Sequence, residues 1–379
     1  MSKMLCAGCG KCVEVCPAGA LEEKDLCQSA CWEQRILLAG KRLVGSQGNG
    51  IRGIFLRPLP GKGNHRYEIC CYFGYSRESS RTLGMSGGCG AKRCGLLSLC
   101  GRLLYQYPYP DECIARIRDI KDKYVIRGNE EKYLENLRGK DQATWTDGQM
   151  QVSYWCYRNI SADNLGWLLS QPARIELAYH NRTLYLTHSS SDFIGDCEHR
   201  GWGSVRVAQR YGNAFIDQKT LRADIHRDLA ADGIFREMLC TLPEGIYIFG
   251  HTHVQWSYQT EDKRHIFINP GSCGLPLDCI RDGMPYTILE LAENGDVRIE
   301  ERRVAFDTET YLESFCKSGQ FEKANVWSRV NVRELRTRRE QMTFFLQFVE
   351  EYAQKTGDSR RPFAVSTWER AFAEWEKTL

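Results

Sequence analysis

Four short apolar runs, each ending on polar residues, constrain this chain more than any other feature in it. Residues 124–126 run into Arg127-Gly128-Asn129-Glu130, and 184–186 run into Thr187-His188-Ser189. Residues 245–249 run into Gly250-His251-Thr252-His253, and 266–268 into Asn269-Pro270-Gly271-Ser272. Short apolar runs bounded by turn residues read as strands. Side chains at strand ends are rigidly placed and converge on one rim of a sheet, so Asn129, His188, His251 and His253 are candidate metal ligands. A single His in such a place is more often structural. A His-x-His directly after Gly250 is harder to read that way, because glycine lets the backbone turn both rings inward. Imidazole nitrogen with an amide oxygen suits Mn, Fe, Zn or Ni better than Ca or Mg.

The surrounding chain reads as α/β from residue 105 onward. Pro110 and Asp111 open a helix with Ile114, Ile117 and Ile120 on one face. Residues 286–291 and 297–301 flank Asn294-Gly295, a strong hairpin signal.

The motifs VIRGNEE, LYLTHSS, IYIFGHTHVQW and FINPGSCGLPLD resemble those of calcineurin-like metallophosphoesterases, over about residues 105–304. The resemblance implies an α/β fold, an αββα sandwich of two sheets, carrying two divalent metals. It implies that Asn129, His188 and His251 hold one metal and His253 the other. The reaction implied is hydrolysis of a phosphomonoester or phosphodiester, in a phosphorylated small molecule or a nucleotide, by a metal-activated hydroxide. Many members have His after the motif Asn as general acid; here Glu130 stands there, and it could donate a proton only with a raised pKa.

The resemblance also calls for a D-x-H near the first strand and a G-D after the second, and neither occurs in residues 41–104. That stretch is rich in Gly, Arg and Cys, with little helical or strand periodicity, and would be a long structureless insertion. Back-translated with free codon choice and read one base later, residues from 67 permit M-K-Y-A-V-I-S-D-I-H-G-N-L-P-A-L. Leu99-Cys100-Gly101-Arg102 likewise permits F-V-G-D. Residues 44–104 therefore read as an irregular, out-of-frame segment. On this reading the literal chain is an impaired hydrolase, because the bridging carboxylate is missing. The alternative for this stretch is a small Cys-rich domain, although its spacing fits no zinc or cluster pattern.

The chain has 18 cysteines, six of them in the first 31 residues. Cys6, Cys9, Cys12 and Cys16 spell C-x2-C-x2-C-x3-C before Pro17, the bacterial ferredoxin run. Three thiolates two residues apart can wrap one face of a 4Fe-4S cluster, whereas zinc sites usually show two separated C-x2-C knuckles. No second full run follows, so one cluster is expected, its fourth ligand open among Cys16, Cys27 and Cys31. The segment resembles the 4Fe-4S insert of glycyl-radical activating enzymes through GKCVEVCPAGAL and AGKRL. The seven cysteines beyond residue 104 read as small buried apolar residues.

Composition bounds the rest. Lys and Arg number 51 against 48 Asp and Glu, a net charge of +3 over 379 residues, which gives no indication of nucleic acid as a partner. No run of 18 apolar residues marks a membrane span, and the N-terminus lacks the apolar core of a signal peptide, so a cytoplasmic protein is expected. Residues 305–379 are helix-prone, with Phe344, Phe345, Phe348 and Tyr352 at helical spacing as packing against the sandwich. The five arginines of 329–339 read as a solvated helix face. The expected division is a ferredoxin-like segment at 1–43, the irregular stretch at 44–104, the phosphoesterase domain at 105–304 and a helical extension at 305–379. The competing reading is an iron–sulfur electron-transfer or radical-activating module, weakened because the activase run C-x3-C-x2-C is absent.

Overall fold

The computed structural model describes the backbone of residues 66–72 and 96–100, and residues 108–379 apart from 121–122, 180–181, 195–201 and 293. The expectations for 1–43, including Cys6, Cys9, Cys12 and Cys16, lie outside the described residues.

The first element after the opening strands shows how local chemistry sets the frame. Helix α1 (Pro110–Asp119) has Pro in its first turn with Asp111 and Glu112, and Arg116 and Arg118 in its last, matching the helix dipole at both ends. Its buried face is Cys113, Ile114 and Ile117. It leads into β3 (Lys123–Ile126), and α2 (Asn129–Leu137) follows at once. Helices α3 (Gln151–Asn159) and α4 (Ala162–Leu169) complete the first helical layer.

Ten strands among the described residues form two five-stranded sheets. The first has the order β10-β9-β1-β2-β3, with β1 (Arg66–Tyr72), β2 (Leu96–Cys100) and β3 parallel, and β9 (Met284–Ala292) and β10 (Val297–Val304) antiparallel beside β1. The second has the order β4-β5-β6-β8-β7. In it β5 (Arg182–Thr187), β6 (Gly245–Ile248) and β8 (His265–Pro270) are parallel, while β4 (Arg174–Tyr179) and β7 (Gln255–Gln259) form antiparallel edges. The expected β9–β10 hairpin around Asn294-Gly295 is present.

The sheets face one another across a dry aliphatic layer of Ile126, Leu184, Leu186, Ile246, Ile248, Ile266, Ile268, Leu289 and Leu291, all at most 1% exposed. Side chains on alternate faces of β6 and β8 look the other way. There Tyr247 and Phe267 meet Leu221, Ile225 and Phe235 of an outer helical layer, with α5 (Ser191–Ile194), α6 (Ser204–Tyr211), α7 (Gln218–Ala231) and α8 (Gly233–Leu239). On the opposite side Val125 and Ile288 meet Cys113, Ile114 and Ile117. The result is the four-layer αββα sandwich, and its parallel strands read as continuous apolar runs because both faces are buried.

Two stretches of the segment expected to be irregular are strands. Arg66–Tyr72 pairs with both Leu96–Cys100 and β9, so the sandwich draws on the chain from residue 66 rather than from 105. A strand asks only for a few residues of apolar or aromatic character and for ladder partners, and RYEICCY and LLSLC meet that demand.

The helical extension is present as α9 (Thr308–Cys316), α10 (Gly319–Lys323), α11 (Asn325–Thr337), α12 (Met342–Thr356) and α13 (Val365–Glu376). The aromatic stripe packs mainly within the extension. Phe345 is fully buried against Trp368, Phe372 and Trp375, with Phe344, Phe348 and Tyr352 partly buried around it. The extension meets the first helical layer at Gly148, where a Cβ would come within 2.7 Å of the Val365 Cα.

Two sequence expectations need correction. The arginines of 329–339 are not all solvated: Arg329 and Arg336 are exposed, but Arg338 and Arg339 are 3% and 6% exposed. Their guanidinium groups are satisfied by fixed acceptors, described below, which makes burial of the charge tolerable. Of the scattered cysteines, Cys113, Cys156, Cys273 and Cys279 are buried, but Cys240 and Cys316 are exposed at helix ends. No helix among the described residues is long and apolar enough to cross a membrane.

Candidate metal centre

Strand ends from both sheets supply the site. After β3, Gly128 turns the chain and its N–H donates to Glu131 Oε2 at 2.6 Å, so that Asn129 opens α2. After β5 comes His188, whose carbonyl accepts from the Gly250 N–H at 2.9 Å and ties it to the loop after β6. In that loop the Thr252 N–H donates to the Gly250 carbonyl at 2.9 Å, closing a γ-turn around His251. His251 has φ +70° and His253 φ +61°, the left-handed region that side chains with a Cβ rarely adopt. Strain of this kind is kept where the surroundings over-determine it.

The bracing residue is Asn269, at the end of β8 and fully buried. Its Nδ2 donates to the Gly250 carbonyl and to Thr252 Oγ1, both at 2.9 Å, and its Oδ1 accepts from the Gly271 N–H at 3.1 Å. Sequence reading treated Asn269-Pro270-Gly271-Ser272 as part of a motif without a role. Its role is to hold the histidine loop.

Three of the four expected ligands come together. His188 Nε2 lies 2.7 Å from Asn129 Oδ1 and 3.2 Å from His251 Nδ1, with the two imidazole rings edge-on at 70°. Metal–nitrogen bonds of about 2.1 Å at angles between 90° and tetrahedral separate the ligand atoms by roughly 3.0–3.4 Å, so the 3.2 Å between the two imidazole nitrogens fits one coordination sphere, whereas the 2.7 Å to Asn129 is that of a hydrogen bond donated by His188 Nε2 to Oδ1. His253 is 2% exposed, and its Nδ1 donates to the Leu275 carbonyl at 2.6 Å. That bond fixes the tautomer and leaves Nε2 as the nitrogen with a lone pair, the usual arrangement of a ligating histidine.

The donor chemistry fits one divalent ion and does not fit a bridged pair. Among the described residues no three His, Cys, Asp or Glu side chains form a group that could hold a metal. The convergent set of two imidazoles and an amide is wholly neutral. In sequence, the residues that follow β1 and β2 are Phe73-Gly74-Tyr75 and Gly101-Arg102, without a carboxylate. Glu130 is 2% exposed and lies near the buried Cys156 thiol, on the helical-layer side of α2. Burial first, and then the nearby charge of Glu130, push that thiol well above its ordinary value.

The 4Fe-4S binding domain family matches residues 2–22, a span that contains Cys6, Cys9, Cys12 and Cys16. No curated protein sequence matches the chain. Among solved structures, a metallophosphoesterase from Sphaerobacter thermophilus is similar at 16% identity and TM-score 0.44, over 72% of this chain and 99% of that one. A hypothetical protein from Pyrococcus horikoshii OT3 is similar at 14% identity and TM-score 0.42, over 73% and 100%. Vacuolar protein sorting 29 from Entamoeba histolytica, complexed with Zn, is similar at 15% identity and TM-score 0.27, over 62% and 98%.

Proposed function

We propose that the sandwich is a metal-dependent phosphoesterase frame, impaired in the chain as written, acting on a phosphorylated small molecule or a nucleotide. The observation that carries the reading is the meeting of Asn129 Oδ1, His188 Nε2 and His251 Nδ1 within 2.7 and 3.2 Å. Side chains from three strand ends on two different sheets meet there, in an arrangement no packing argument requires. A divalent ion such as Mn, Fe, Zn or Ni, if held there by Asn129, His188 and His251, would supply Lewis acidity to a phosphoryl oxygen and would make water a better nucleophile at neutral pH. The chain's own residues hold and orient: Asn129, His188 and His251 bind, the Leu275 carbonyl holds His253 with the proton on Nδ1, and Asn269 fixes the loop.

The impairment follows from charge. Without a bridging carboxylate the neutral donors hold one ion loosely, and a second ion has no shared ligand. The out-of-frame reading of 44–104 supplies the reason. Its shifted text puts apolar runs at 67–73 and 99–100, and the strands stand at Arg66–Tyr72 and Leu96–Cys100. Its D-x-H and G-D would then follow β1 and β2, which run parallel to β3 in the same sheet, on the rim where Asn129 emerges.

The test is to sequence the gene through codons 40–106, express both readings, and measure Mn2+-dependent hydrolysis of bis(p-nitrophenyl) phosphate. Turnover near background for the literal chain and robust turnover for the shifted one is expected. Equal turnover overturns the impairment, and no turnover in either overturns the phosphoesterase reading. A second reading, an iron–sulfur electron-transfer module, rests on the 4Fe-4S match at residues 2–22. Cluster absorbance in anaerobically purified protein, bleached by dithionite, is its signature.

A further inference from the structure

The loop after β8 is unusual. All ten residues of 271–280 are buried, although connecting segments normally run over the surface. This loop carries the Leu275 carbonyl that accepts from His253 Nδ1 at 2.6 Å, and its Leu277 N–H donates back to the His253 carbonyl at 3.1 Å. Two reciprocal bonds therefore make the loop and His253 one unit.

What covers the loop is the extension. The Cys279 N–H donates to the Arg338 carbonyl at 2.9 Å, and Leu275 and Leu277 pack with Tyr311, Leu312 and Leu335. Arg338 ends α11 in the left-handed conformation, φ +56°, and its guanidinium donates to Thr308 Oγ1 at 2.8 Å and reaches Met284 Sδ at 3.7 Å. Its neighbour Arg339 donates to the carbonyls of Gly212, Ala214 and Thr337 and lies over the Phe215 ring. The Ile216 N–H in turn donates to the Cys279 carbonyl at 3.0 Å.

The geometry points to Arg338 as a positioning residue for His253: through the 275–279 loop, the C-terminal extension sets the tautomer and place of the His253 ring. The proposal rests on the reading of His253 as a metal ligand only for the metal arm of its test. Guanidinium bonds to Thr308 and Met284 fix the Arg338 main chain between the start of α9 and the start of β9. That main chain fixes Cys279, and the loop fixes the acceptor of His253. Outer contacts of this kind set the orientation and basicity of a ligating imidazole.

The experiment uses the full chain labelled with [15N]histidine. Arg338→Gly keeps the left-handed backbone and its carbonyl while removing the guanidinium, and Thr308→Val removes one acceptor more gently. Long-range 1H–15N spectra of metal-free protein read the His253 tautomer directly. In the unaltered chain the proton is on Nδ1. In Arg338→Gly the His253 signals move to a mixture of tautomers, and in Thr308→Val they move the same way by less. Co2+ titration gives the second readout, with affinity falling about tenfold in Arg338→Gly where His253 Nε2 serves as a ligand of the ion. Val349→Ala, buried in α12, is the control for general loosening, and it lowers the melting temperature with both readouts unchanged.

Unchanged His253 signals in both the Arg338 and Thr308 variants overturn the proposal, as does an equal effect of Val349→Ala. If the unaltered chain binds no Co2+, the metal reading fails while the tautomer result still decides the role of Arg338.

Discussion

His251 states the residue-scale logic of the site most sharply. A histidine at φ +70° gains nothing locally from that conformation, so the loop is held from outside. Asn269 does much of the holding, with three hydrogen bonds from one buried amide. Asn269→Ala takes from the Gly250 carbonyl and the Thr252 hydroxyl a donor that water cannot replace. The expected loss of stability is about 2–4 kcal/mol in urea melts, together with weaker Mn2+ or Co2+ binding. Residue spacing alone was enough to nominate Asn129, His188 and His251, because a strand end leaves few directions for a side chain. Glu130 was less legible. One residue along a helix turns a side chain by about 100°, and that rotation separates it from its neighbour Asn129 and carries it toward Cys156.

Elements were legible where local patterning was strong and illegible where neighbours decided. α1, β3, β5, β6, β8 and the β9–β10 hairpin stand within a few residues of where periodicity put them. The edge strands β4 and β7 carry mixed polar text and become strands only by pairing with β5 and β8. The same holds for Arg66–Tyr72 and Leu96–Cys100, which need the ladder beside them. Between elements, Asp111 on α1 ties to α4. Its Oδ1 accepts from the Ser161 N–H and Asn164 Nδ2, each at 2.7 Å. Burial alone would raise this carboxyl, but those bonds and the Arg118 charge outweigh it and hold the group below its usual range. A depressed value in the folded state means stabilisation above about pH 4 that is lost as pH falls through the folded value. Asp111→Asn is therefore expected to be less stable at neutral pH and to lose less on acidification below about pH 4. Thermal melts from pH 7 to pH 2 measure both effects.

At the scale of the whole molecule, the extension is not an appendage. Cys273, Leu275 and Leu277 of the sandwich share one cluster with Tyr311, Leu312, Phe315 and Leu335, and Val152 of α3 lies in the extension's own core. Ending the chain after residue 304 would strip apolar cover from the loop that carries the His253 acceptor. Such a product is expected to aggregate or to lose cooperative unfolding, as judged by circular dichroism and size-exclusion chromatography. A soluble, sharply melting truncated chain would show that the two parts are independent.

The sequence by itself determined the alternating α/β pattern, the histidines and asparagine at strand ends, and the cysteine run at the N-terminus. Each of these is a local fact, set by spacing along the chain. Tertiary structure alone decided which strands pair at the edges and which face of α2 meets the site. It also decided that two arginines of a basic stretch are buried. Those outcomes depend on partners far away in sequence, such as Cys279 with Arg338 or Asn269 with Gly250 and Thr252. Hydrogen-bond satisfaction in a closed core, rather than local propensity, fixes them.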